Sequence, residues 1–167
     1  ISGYAYTAGP YPLGYNGWGD FFVFCFFGPI AVCGTYFLQT LSISLESIIA
    51  GIILGCLSVT LLCVNNIRDV ETDRKVGKRT LAVRISPKFV RVMFIILFLL
   101  SYFFSIYLSY YLSIKIFPFL LIATLPFFFK LSHDILKLRG ENLNKLLERV
   151  AGYIAIYSIT LTLSILI

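Results

Sequence analysis

Asp69 and Asp73 stand four and eight residues after Asn65, in the run NNIRDVETDRKVGKRT (65–80). The apolar stretch before it predicts a helix. If that helix continues past Val64, then Asn65, Asp69 and Asp73 share one face, a turn apart. Carboxylates so spaced repel one another mildly unless a cation sits with them. Hard oxygen donors suit Mg²⁺, which keeps several waters and shares its site with phosphate oxygens. Gly77 can end the helix in a left-handed turn. Lys78 and Arg79 would then fold back as donors for an anion. An acidic ladder, a glycine and a basic pair together describe a Mg²⁺–diphosphate site at a membrane surface. They also describe a solvated, mixed-charge anchor beside a span, and spacing alone leaves both open. An EF-hand is excluded, because its D-x-D-x-D-G pattern is absent. A Walker loop is excluded as well: no Ser or Thr follows Lys78, and no glycine stands at the right distance upstream.

Other candidates are weaker. His133, the sole histidine, is expected to be interfacial. Asp20, at the mouth of the first span, is expected to cap it, with help in substrate binding as the second reading; Glu46 is expected to reach the interface at the opposite rim. Cys25, Cys33, Cys56 and Cys63 fall inside apolar runs without CxxC spacing, so buried, reduced thiols are expected.

The elements that must position this run follow from composition. Of 167 residues, 59% are hydrophobic and 13% charged, against roughly 45–50% and about 25% in soluble domains. Five apolar runs, about 21–40, 45–64, 92–113, 115–130 and 150–167, predict an all-α membrane protein with five transmembrane helices. Pro29 should kink the first. Gly51 and Gly55 form a GxxxG that lets another helix approach the second. The short connections at 41–44 and 113–115 predict antiparallel hairpins. Residues 134–149 predict an amphipathic surface helix. Thirteen of the fourteen basic residues lie in 65–91 and 130–149, and only Lys115 lies elsewhere. Five spans put both basic stretches on one side, which the positive-inside rule places in the cytoplasm. The net charge of +6 therefore follows topology, and nucleic acid is not an expected partner. Met93 is the only methionine. Ile1 is therefore expected to follow a processing site or a truncation, and the chain to be part of a larger fold.

The run NNIRDVETDRKVGKRTLAVR (65–84) resembles the second aspartate-rich motif of the UbiA-type membrane prenyltransferases. The resemblance is to the branch acting on 1,4-dihydroxy-2-naphthoate in menaquinone or phylloquinone biosynthesis. The stretch YTAGPYPLGYNGWGD (6–20), followed by FFG (26–28), is similar to that branch too. The resemblance implies a nine-helix bundle around a central cavity, of which the five spans would be the fifth to ninth. Two aspartate motifs on cytoplasmic loops would hold Mg²⁺ and a prenyl diphosphate. On that mapping Asp69 and Asp73 bind Mg²⁺, and Asn65, Asn66 and Arg68 support metal and diphosphate. Lys78 would contact diphosphate oxygens. Tyr6 would stand at the Tyr of a YxxxK motif, with Pro10 in place of its lysine. Ser86 replaces a glycine usual in the family.

The implied reaction ionises the allylic C–O bond as Mg²⁺ and basic groups neutralise the leaving diphosphate. Aromatic faces would stabilise the carbocation, and the electron-rich naphthoate would attack it with loss of its carboxylate. Other UbiA-type branches, with 4-hydroxybenzoate or homogentisate as acceptor, are the nearest alternatives. A transporter is a rival of another class, but it would want ionisable residues at mid-membrane, and the centres of these runs carry none. The Asp-Gly and Ala-Arg pattern of the CDP-alcohol phosphatidyltransferases is not found.

Overall fold

A computed structural model describes residues 17–113 and 117–166, and it is helical throughout these. Helix α1 spans Gly19–Cys25, a wide turn covers Phe26–Ile30, and α2 spans Ala31–Thr40. Helix α3 spans Leu45–Arg68, α4 Val70–Lys75 and α5 Leu81–Arg84. The remainder forms α6 (Pro87–Tyr111), α7 (Phe117–Lys137) and α8 (Asn142–Leu166).

Local chemistry fixes several boundaries. At the start of α3, the Ser47 backbone N–H donates to Ser44 Oγ and the Ser44 N–H to Ser47 Oγ, which closes a capping box. Ser86 caps α6, whose first residue is Pro87. The first span bends at Gly28, whose φ and ψ of −111° and −108° are not helical, next to Pro29. The expected kink lies there.

Helix α3 is the central element and packs against α6, α8, α1 and the 26–30 turn. Ile53, Leu57, Cys63 and Val64 on α3 meet Val90, Phe94 and Phe98 on α6 in the core. The GxxxG is where the kink docks. A Cβ on Gly51 would fall 2.7 Å from Pro29 Cα, and one on Gly55 2.8 Å from the Phe24 carbonyl oxygen. Side chains there would separate the backbones, so glycine is required for this approach. Helices α6, α7 and α8 are joined by a buried polar knot. The Tyr102 hydroxyl lies 2.6 Å from Thr124 Oγ1 and 2.8 Å from the Tyr153 hydroxyl.

The outer surface is apolar: Phe27, Leu38, Phe103, Ile106, Phe129 and Ile159 are all more than half exposed. Among the described residues, four segments are long and apolar enough to cross a membrane: Gly19–Thr40, Leu45–Arg68, Pro87–Tyr111 and Asn142–Ser164. Of the 115–130 run, residues 117–130 fall within α7, which is not among the four; α7 also carries Lys130, His133, Asp134 and Lys137. The amphipathic helix expected over 134–149 is not formed. The chain breaks after Lys137 and Gly140 takes a φ of +56°, so 134–137 end α7 and 142–149 begin α8. The connection at 113–115 lies largely outside the described residues. That at 41–44 joins two packed helices, as expected.

Candidate functional site

The chain leaves α3 with its hydrogen bonding intact. The Asp69 N–H donates to the Asn65 carbonyl at 3.0 Å, and the Asp73 N–H to the Asp69 carbonyl at 2.8 Å. Asn65, Asp69 and Asp73 thus follow one another by single turns although Asp69 interrupts the helix proper. Gly77, at φ +73°, ends α4. The Gly77 N–H donates to the Arg74 carbonyl and the Lys78 N–H to the Asp73 carbonyl. These two bonds make a Schellman turn, and it reverses the chain. Lys78 Nζ therefore comes back to Asp73 Oδ1 at 3.2 Å.

Arg68 grips Asp69 with two bonds, from Nε to Oδ1 at 2.7 Å and from Nη2 to Oδ2 at 2.8 Å. The guanidinium holds the Asp69 carboxyl below its ordinary range. The same guanidinium donates to Asn144 Oδ1 at 3.0 Å, tying the end of α3 to the start of α8. Arg91 donates to the Leu138 carbonyl at 3.0 Å, so the loop after α7 lies on the same face.

A polar cavity of about 200 Å³ opens at this end of the bundle, lined by Gly19, Asp20, Asn65, Asn66, Lys78 and Thr80 among others. Asn66 and Asp20 are buried, at 4% and 8% exposed. Gly17, in the left-handed region, lies against the Arg79 carbonyl and the Arg84 side chain, bringing the start of α1 onto the 79–84 loop. Three buried oxygens lack partners among the described residues: Asp20 Oδ1 and Thr80 Oγ1 in the cavity lining, and Asp73 Oδ2 on the carboxylate that Lys78 bonds. A buried polar atom without a partner costs about 1–3 kcal/mol, so these positions suit a bound polar ligand. Carboxylate and amide oxygens are the donors Mg²⁺ takes. Lys78, Thr80 and the asparagine amides are donors for an anion. Among the described residues no three Asp, Glu, His or Cys side chains converge, so any metal here would draw further ligands from water or substrate oxygens.

An apolar groove of about 480 Å³ adjoins this cavity and shares Leu62 and Asn65 with it. Val23, Phe27, Leu61, Leu147, Ala151 and Ile154 line it. Among the described residues Phe27 is its one aromatic wall. The large aromatic cluster of Phe94, Phe98, Tyr102, Phe128, Tyr153 and Tyr157 packs between α6, α7 and α8 and lines neither space.

The structure brings together Asn65, Asn66 and Lys78 at the cavity. Asp73 adjoins it through Lys78, whereas Asp69 and Arg68 pair with each other outside its lining. Tyr6 and Pro10 lie outside the described residues. Asp20 is not the cap that was expected. Trp18 holds that position, and Asp20 sits in the first turn without a capping bond, facing the cavity. Thr80 and Asn144 were missed as well. Asn144 meets Arg68 across 76 residues, which no spacing could have signalled; Thr80 reaches the cavity only because the turn at Gly77 reverses the chain. His133 is solvated beside Asp134. Of the four cysteines, all free, Cys56 and Cys63 are buried, whereas Cys25 and Cys33 are only half-buried.

Long apolar helices, an apolar exterior and a polar cavity opening into an apolar groove at one face define a helical integral membrane protein. The chain belongs to the UbiA prenyltransferase family, whose profile matches residues 1–156. It is 46% identical over 97 residues to a 1,4-dihydroxy-2-naphthoate octaprenyltransferase of Haemophilus influenzae, covering 58% of this chain and 32% of that protein. The enzyme of the same name from Mycobacterium tuberculosis is 42% identical over 89 residues, 53% of this chain and 30% of that one. Human UbiA prenyltransferase domain-containing protein 1 is 32% identical over 152 residues, 90% of this chain and 43% of that one. The chain thus spans about a third of the length of the naphthoate enzymes it matches. No solved structure matches it.

Proposed function

We propose that the protein transfers a polyprenyl or phytyl group from its diphosphate to 1,4-dihydroxy-2-naphthoate, with Mg²⁺ as cofactor. The observation that carries this is the junction at Leu62 and Asn65, where a polar cavity meets an apolar groove. A prenyl diphosphate has that same division between a charged head and a greasy tail. Lys78, the Thr80 hydroxyl and the Asn65 and Asn66 amides take the diphosphate oxygens. Asp73, with one oxygen open, and Asp69 hold Mg²⁺. Bound there, the metal supplies charge neutralisation for the departing diphosphate. Arg68 positions Asp69 and shares in neutralising the site. The groove keeps water from the allylic cation, and Phe27 offers it a ring face. With the basic stretches at this end, the motif loop faces the cytoplasm.

The test is an assay of the intact protein in membranes with a prenyl diphosphate and radiolabelled naphthoate. Product is expected with Mg²⁺, none after chelation, and recovery when Mg²⁺ is returned. Failure with naphthoate and turnover with 4-hydroxybenzoate or homogentisate would overturn the acceptor and keep the reaction class. The 90% coverage by the human relative, not named for naphthoate, is the observation favouring that second reading.

Asp20 gives a sharper test of the cavity. Asp20→Asn should leave the helices intact and slow transfer by about 10–100-fold, the effect of removing a group that supports a metal or anion site. If Asp20 only starts α1, the rate stays at the parent value.

A further inference from the structure

A second groove lies on the outer face between α7 and α8, apart from the cavity at Asn65. It has a volume of about 490 Å³. Lys130 and Arg149 stand at one end of its lining, and Phe127, Gly152, Ile156 and Thr160 extend along it. The two helices are antiparallel around the break at 138–141, so the cations mark the end nearest that break. The Arg91–Leu138 bond and the Arg68–Asn144 bond hold this end on the same face as Asp69 and Asp73. From Arg149 to Thr160 the groove follows α8 for roughly 16 Å at 1.5 Å per residue. One leaflet of a bilayer core is about 15 Å deep.

Charge and shape together select an occupant. Arg149 is fixed at the rim by a 2.9 Å bond to Asp134 Oδ2, while Lys130 is exposed and has no ion-pair partner among the described residues. Lys130, Arg149 and Asp134 together leave one net positive charge at the mouth. Gly152 lies along the groove, and a Cβ there would meet nothing within 4 Å. A glycine inside a helix costs about 1 kcal/mol against alanine, and no neighbouring helix in the structure requires this one. It leaves room along the groove.

We propose that this groove binds one anionic phospholipid of the leaflet facing the motif loop, its phosphate at Lys130 and Arg149 and one acyl chain along Gly152 towards Thr160. Basic pockets between spans on the cytoplasmic side take anionic headgroups in this way.

The intact protein, reconstituted in bilayers of equal parts phosphatidylcholine and phosphatidylglycerol and released for native mass spectrometry, tests it. Phosphatidylglycerol should be retained in preference to phosphatidylcholine. Removing each cation, in Lys130→Gln and Arg149→Gln, should lower its retention about fivefold, the worth of one basic group at an anionic surface. Gly152→Leu leaves charge unchanged and should lower retention by filling the acyl path. A phosphatidylglycerol with a photoreactive acyl chain should label α7 and α8. Equal retention of both lipids, retention indifferent to Lys130 and Arg149, or labelling confined to other helices would each overturn the proposal. The last is the result expected if another protein segment covers the groove.

Discussion

Asp73→Asn should slow prenyl transfer by about 10²–10³-fold, the scale on which one preorganised group stabilises developing charge, and should leave the protein folded. Asparagine is nearly isosteric, and the Schellman turn at Gly77 uses the backbone of residue 73, so the local chain keeps its path. What is lost is a buried carboxylate with Oδ1 on Lys78 and Oδ2 open. Asp69→Asn should cost a similar factor for a partly different reason. It dissolves the two-pronged bond to Arg68 and frees a guanidinium that also anchors Asn144. Asp69→Asn is therefore expected to loosen α8 as well, which a lower thermal transition would reveal. Glu71→Gln is the control. Glu71 is exposed and only 3.6 Å from Arg74, so its removal should alter rate by less than about twofold, as for exposed ion pairs generally. Initial rates in membranes across a Mg²⁺ titration separate the cases. Full turnover by Asp73→Asn would remove the metal assignment.

The parts of this site that could be read from the sequence are those built by near neighbours. Asp69 and Asp73 fall a turn apart because helical hydrogen bonds carry past Val64. Gly77 reverses the chain because a left-handed residue was needed there. Lys78 returns because that reversal leaves it nowhere else to go. For Asp20 the same local logic favours the cap over the substrate-side reading, and the cap fails. Its neighbours suggest a cap, and only the docking of α1 against α3 turns it towards Asn65 and Asn66. Asn144 enters through a contact with Arg68 across 76 residues, which no periodicity records, and Thr80 enters only through the reversal at Gly77. The spans were legible because lipid demands long apolar runs, yet their ends were not. Hydropathy stops at Val64 and Lys130, whereas the hydrogen bonds of α3 and α7 continue through polar residues to Arg68 and Lys137. The surface helix expected over 134–149 fails for a related reason: Gly140 breaks the chain where the charge pattern is continuous. Aromatic content suggested rings for a cation, but Phe94, Phe98, Tyr102, Phe128, Tyr153 and Tyr157 cement α6, α7 and α8, many other rings face outward, and Phe27 stands at the groove.

Gly55→Leu should be the most damaging substitution outside the site itself. The wall opposite Gly55 is backbone: the Phe24 carbonyl oxygen would stand 2.8 Å from a new Cβ, with the Phe24 ring as close. Gly51 faces Pro29 Cα in the same way, and Gly28 would collide with Gly51 in return. No rotamer relieves such contacts, so α1 and the kink must move off α3. Overpacking ordinarily costs about 1–3 kcal/mol, and a backbone-to-backbone approach lies at or above that range, against a total stability of roughly 5–15 kcal/mol. Because the first turn of α1 carries Asp20, the displacement also opens the cavity at Asn65. Transfer should therefore fall with stability, although residue 55 touches no ligand. Gly34→Ala is the matched contrast. It lies in α2 with nothing within 4 Å of a new Cβ, so it should stabilise by about 0.5–1 kcal/mol through helix propensity. Thermal transitions of the purified variants, read beside their rates, distinguish a glycine held by contact from one that is merely present. A Gly55→Leu protein as stable as the parent would mean that α1 does not dock on α3, and the cavity built on that docking would go with it.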